Sequence, residues 1–96
     1  RLVAADGDVG DVAEMIFDDK KWRLKYFVID TGHFFPGRKV LIPVELVNGI
    51  EWTNGTVSVS IKRNTVLEGP SYNQAFPVTS EYESRISGYY YPEKRI

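Results

Sequence analysis

Cysteine is absent from the 96 residues. That removes disulfides, thiolate nucleophiles and cysteine metal sites together. It also favours a reducing compartment, since small secreted domains lean on disulfides. Histidine occurs once, at His33. A lone imidazole has no second imidazole to share a metal, and a general base needs a nucleophile and an orienting group beside it. No apolar run approaches the ~20 residues that a membrane-spanning helix requires. No charged-then-apolar leader opens the chain. It starts on Arg1 rather than methionine, which fits a piece of something longer. Net charge is −1, so the basic excess of a nucleic-acid binder is missing. Basic residues come as scattered pairs, Lys20-Lys21, Arg38-Lys39 and Lys62-Arg63.

What is present is a soluble composition, 43% hydrophobic and 26% charged, with aromatics at 14%. That balance argues against disorder, and the length fits a single domain over 1–96. The core of so short a chain is small, and a partner or second copy would help it.

Residues 22–43 organise the rest. Tyr26-Phe27-Val28-Ile29 is apolar on both sides of a pleat, so the strand lies in the core. Val40-Leu41-Ile42 is a second such run, closed by Pro43. Trp22, Leu24, Tyr26 and Val28 fall on one face by alternation. Before them, Leu2-Val3-Ala4-Ala5 reads as an edge strand and Asp6–Asp11 as a glycine turn. In Val12–Phe17, Val12 is out of phase with Met15 and Phe17; a bulge near Ala13-Glu14 repairs the phase. The alternative there is a short helix. Asp18–Lys21 is a hairpin turn.

Ile50–Trp52 and Thr56–Ile61 are strands joined through Thr53-Asn54-Gly55, with Asn-Gly predicting a type I′ turn. Asn64 caps a helical turn through Glu68, stopped by Gly69-Pro70. Ser80-Glu81-Tyr82-Glu83 is a capping-box pattern, and Tyr82, Ile86 and Tyr89 share a helix face. Glu81 and Arg85 are spaced for an ion pair. The expectation is mostly β: a small closed β-barrel of about six short antiparallel strands over about 1–62. An extension with short helices, over about 63–96, follows it and ends in a short C-terminal helix.

Several elements in order resemble the PRC-barrel family. They are Gly7–Val12, Met15–Asp19, Trp22–Gly32, Pro36–Pro43 and Asn64–Tyr72, then Pro77-Val78, Tyr82-Glu83 and Tyr89-Tyr90. The resemblance implies a barrel like the cytoplasmic part of the H subunit of purple-bacterial photosynthetic reaction centres. It also implies likeness to the C-terminal domain of a ribosomal small-subunit maturation factor. In both settings the barrel is an interaction and assembly module, and the longer C-terminal stretch is more similar to the H-subunit branch. No compact catalytic motif of the family maps onto these positions.

Three chemical readings of the sequence fail. Asp6, Asp8 and Asp11 lack the glycine and closing glutamate of a calcium loop. Gly7 and Gly10 lack the third glycine and lysine of a phosphate loop. His33 has only Asp30 near it and reads as an exposed loop residue. No catalytic residue, cofactor or metal ligand is therefore expected. The expected contact residues are Trp22, His33, Phe34, Phe35 and Tyr90, large aromatics with the loop histidine among them. The alternative for Phe34 and Phe35 is a loop that folds back and caps one mouth of the barrel, burying both rings or one of them. The expected partner is a protein, or a second copy in a homodimer, in the cytoplasm. An accessory role in RNA or ribosome maturation is the alternative, and convergence of Arg38, Lys39, Lys62 and Arg63 would favour it.

Overall fold

A computed structural model describes residues 1–18, 20–32, 34–73 and 78–91. His33, Asp19, Pro77 and Pro92 lie outside the described residues. The elements in chain order are β1 (Leu2–Ala4), β2 (Gly7–Asp18), β3 (Arg23–Asp30) and β4 (Lys39–Pro43). A 3₁₀ turn (Val44–Leu46), β5 (Val47–Glu51) and β6 (Thr56–Val59) follow, then helices α1 (Arg63–Leu67) and α2 (Ser80–Tyr90).

The six strands make one sheet in the order β4-β3-β2-β1-β6-β5. Two features of the expected barrel are corrected. First, the sheet is mixed: β1 runs parallel to β6, with Leu2 opposite Val57. Hairpin signals report only antiparallel neighbours, so a pairing between the two ends of the sheet's sequence left no local trace. Second, the sheet is not closed. Among the described residues no ladder joins β4 to β5; the 3₁₀ turn connects them instead. The free side of β4 is covered by other means. Val40 bridges Ser71, Tyr72 N–H donates to the Lys39 carbonyl at 2.7 Å, and the Tyr90 hydroxyl donates to the Leu41 carbonyl at 3.2 Å. These contacts occupy an edge that would otherwise invite another strand.

Strand β2 begins at Gly7, inside the run expected to be a turn. Gly7 has φ 138°, and a Cβ there would lie 2.2 Å from the Arg63 guanidinium. At Gly10 a Cβ would meet the Asp30 carbonyl oxygen at 2.1 Å. These glycines therefore permit close packing, rather than simply ending a strand. The expected bulge exists: Val12 pairs with Ile29 and Glu14 with Val28, leaving Ala13 over. A second irregularity was not foreseen. Ile16 faces Tyr26 but Phe17 faces Leu24, so Lys25 is the extra residue. It moves Leu24 to the face of Phe27 and Ile29, away from Tyr26 and Val28.

Two cores result, one on each face of β3. The larger joins Leu2, Val9, Phe27, Ile29, Val40, Ile42, Val57, Val59 and Val66, so the sheet folds over on itself. The smaller joins Tyr26, Val28, Leu41 and Ile86, and seats α2 on the opposite face. Tyr90 packs against both. Helix α2 is capped one residue earlier than the capping-box pattern suggests, by Thr79, whose hydroxyl accepts from Tyr82 N–H at 3.2 Å. Lys62, not Asn64, precedes α1 as its cap residue. Arg85 lies over the Tyr82 ring at 5.9 Å, and no ion pair joins it to Glu81. In the β5–β6 turn only Gly55 has positive φ, at 67°, so the expected type I′ geometry, which needs two such residues, is absent.

Candidate interaction surfaces

The loop from Thr31 to Arg38 is held from its base. Thr31 is fully buried, and its hydroxyl donates to the Arg38 carbonyl at 2.8 Å. Its own carbonyl accepts from Phe34 N–H at 2.9 Å and Phe35 N–H at 2.8 Å. Gly37, at φ 81°, completes the return. Phe34 and Phe35 are thereby presented on a fixed frame, 42% and 45% exposed. Phe34 stacks at 5.2 Å under the Arg63 guanidinium. Arg63 in turn donates through Nε to the Asp8 carbonyl at 2.8 Å, and through its backbone N–H to Asp6 Oδ1 at 2.7 Å. That last bond, with the nearby guanidinium, holds the Asp6 carboxyl below the usual carboxylate range.

Trp22 occupies the opposite end of β3. Asp18 shapes its turn: Oδ1 accepts from Lys20 N–H at 2.8 Å and Lys21 N–H at 3.2 Å, and the Asp18 carbonyl accepts from Trp22 N–H at 2.8 Å. Trp22 lies in this turn, not in the strand, at φ 54° and 81% exposed. Eight residues of β3 separate it from the phenylalanine loop, roughly 25 Å of extended chain. Trp22, Phe34 and Phe35 are therefore two surfaces and not one. Tyr90 belongs to neither, being turned inward to β4. The sequence reading missed Trp52, 84% exposed beside the β5–β6 turn, and Met15, Phe17 and Ile50. An aromatic flanking an Asn-Gly turn was the available signal for Trp52.

Between α2 and β3 lies an open cleft of about 870 Å³ bordered by Tyr26, Glu83 and Tyr89. Glu83 accepts from Lys25 Nζ and, at 3.0 Å, from the Tyr26 hydroxyl. Hydrogen bonding to Glu83 raises the Lys25 pKa, and burial followed by the Glu83 contact raises that of Tyr26. Both groups keep their protons at neutral pH, so neither is poised as a base or nucleophile. The arrangement ties α2 to β3. Among the described residues no group of three or more acidic, histidine or cysteine side chains is placed to hold a metal ion. Of the four basic residues, Arg38 donates to the Gly69 carbonyl at 2.6 Å, and Arg63 is bound as above.

Burial also raises the Tyr90 pKa. The folded state thus holds the Tyr26 and Tyr90 protons above the ordinary phenol value of 10.0, where the unfolded chain begins to lose them. Stability is expected to be level from neutrality to about pH 9 and to fall above about pH 10, by about 1.4 kcal/mol per pH unit for each tyrosine. Lys25, raised from 10.5, acts in the same direction and somewhat higher. Urea midpoints measured from neutral to alkaline pH check this, and Tyr26→Phe or Tyr90→Phe should flatten the fall.

The domain is a small mixed sheet with two cores, and Trp22, Trp52, Phe34 and Phe35 stand exposed on its surface. A family comparison identifies its class. Residues 3–66, two thirds of the chain, match the PRC-barrel domain, and the chain belongs to that family. PRC-barrel domains are generally non-catalytic modules, and the membership points to protein interaction or assembly. A comparison with curated proteins found no match. Among the described residues no helix is long and apolar enough to cross a membrane.

Proposed function

We propose that this domain docks, without catalysis, on a larger protein assembly and does so through Trp22 and its surroundings. Resemblance to reaction-centre H subunits favours a membrane-associated assembly approached from the cytoplasmic side, and the absence of cysteine suits that location. The observation that carries the reading is the backbone of Trp22. A bulky side chain at φ 54° costs on the order of 1–3 kcal/mol, and glycine would hold the same turn without that strain. Yet the indole is left almost wholly in water, making little contact that would compensate within the domain. Strain at an exposed aromatic is consistent with a contact that is completed by another molecule. Trp52, equally exposed, gives a second anchor of the residue type that dominates interface energetics.

The test uses Trp22→Gly. Its urea midpoint is expected to hold or rise, by up to about 1 kcal/mol in stability. Its affinity for the assembly, or its self-association by sedimentation, is expected to fall by roughly thirtyfold, the equivalent of about 2 kcal/mol. Equal affinity of the two proteins, or a wild-type chain that stays monomeric and captures nothing from membrane and soluble extracts, overturns the reading.

A further inference from the structure

We propose that the second half of β2 is a docking edge for an extended partner strand that alternates apolar and basic residues. The inference rests on the docking reading above and specifies where and what the domain holds. Strand β2 has 12 residues, and its neighbour β1 has three. Pairing with β1 occupies only Gly7 to Gly10. From Asp11 to Asp18 the strand is paired on one side, to β3, and among the described residues no strand lies along the other. Alternate backbone N–H and C=O groups of that stretch point away from β3, and an added strand would satisfy them.

The side chains state what the added strand should carry. Val12, Met15 and Phe17 oppose Ile29, Phe27 and Leu24, so they share the face of the larger core. Met15 and Phe17 are nonetheless 55% and 50% exposed, because no β1 residue reaches them. On the other face stand Glu14 and Ile16, opposite Val28 and Tyr26. Asp11 and Glu14 are exposed and take part in no ion pair among the described residues. A strand with apolar residues toward Met15 and Phe17 and lysine or arginine toward Asp11 and Glu14 completes both faces. A second copy of β2 is disfavoured: antiparallel pairing about Met15 would bring both copies' Asp11, Glu14 and Asp18 close together along the joined edge. The basic alternation of this chain, Lys21, Arg23 and Lys25 among Trp22, Leu24 and Tyr26, is already committed to the β2–β3 hairpin.

The probe is a synthetic peptide of about ten residues alternating valine and lysine, with a valine–glutamate peptide and a lysine-block peptide of the same composition as controls. Amide shifts and hydrogen exchange of the whole domain are followed at low salt. Expected are shifts and slowed exchange across Glu14–Phe17 with the alternating lysine peptide alone. The double variant Asp11→Lys, Glu14→Lys should weaken that peptide by roughly tenfold and admit the glutamate one. Shifts confined to the Trp22 or Phe34 regions overturn the edge while leaving the docking reading intact. So does an absence of shifts at about 1 mM peptide. Concentration-dependent protection of Met15 without peptide would make a second copy the occupant and overturn the choice of partner. The Trp22→Gly experiment judges the docking reading separately.

Discussion

Gly10→Ala should lose roughly 3 kcal/mol or more of stability, a large part of the ~5–10 kcal/mol available to a domain of this size. The added Cβ would stand 2.1 Å from the Asp30 carbonyl oxygen, 3.1 Å from its carbon and 3.4 Å from Thr31 Cα. All three are backbone atoms at the junction where β2 leaves β1 and takes up β3. No side-chain rotation can relieve them, so one of the two ladders must open. Gly49→Ala is the matched control. It too lies in a strand, but is exposed and meets nothing within 4 Å, and should stay within about 0.5 kcal/mol of the parent. Urea unfolding followed by far-ultraviolet circular dichroism separates the two. Equal midpoints for them would refute the packing described for β2.

Ile86→Ala should cost about 2–5 kcal/mol. Ile86 is the one fully buried residue of α2, packed with Tyr26, Val28 and Leu41. An 11-residue helix has little stability of its own, so its order depends on that seat. The polar contacts of Glu83 with Lys25 and Tyr26 remain in the variant but sit at the rim of the seat. Amide exchange should show α2 losing protection before the sheet does. Uniform loss across sheet and helix would mean that the two cores act as one unit.

The elements most readable in the sequence were those whose pattern is local. Tyr26–Ile29 and Val40–Ile42 are strands because an unbroken apolar run of that length suits a sheet covered on both faces, and here both faces are covered. The bulge at Ala13 was legible because Val12 and Met15 had to reach one face. The bulge at Lys25 was not, since an apolar Leu24 satisfies either face. The early start of β2 was hidden by glycines that look like a turn until the Asp30 carbonyl is seen beside Gly10. Membership of the family was legible from motif order, but the parallel seat of β1 and the open sheet were not, because both depend on which distant strands meet. For the contact surface, residue type was readable and proximity was not. Trp22, Phe34 and Phe35 are all exposed, yet β3 holds the tryptophan and the phenylalanines apart. Glu83 looked like half of a capping box and serves instead to fasten α2 to β3.

The seat of β1 between β2 and β6 sets an order of events during synthesis. The first strand of this domain has one neighbour in β2 and the other at Thr56–Val59. Its parallel pairing must wait until the β5–β6 hairpin has emerged, and at roughly 5–20 residues per second that delay lasts some seconds. Meanwhile Leu2 and Val9, both destined for complete burial, remain open to chaperones and to neighbouring nascent chains. Loop closure over so much chain makes this step slow relative to hairpin formation. A domain assembled this way commits its first-made strand after most of its sheet is already in place.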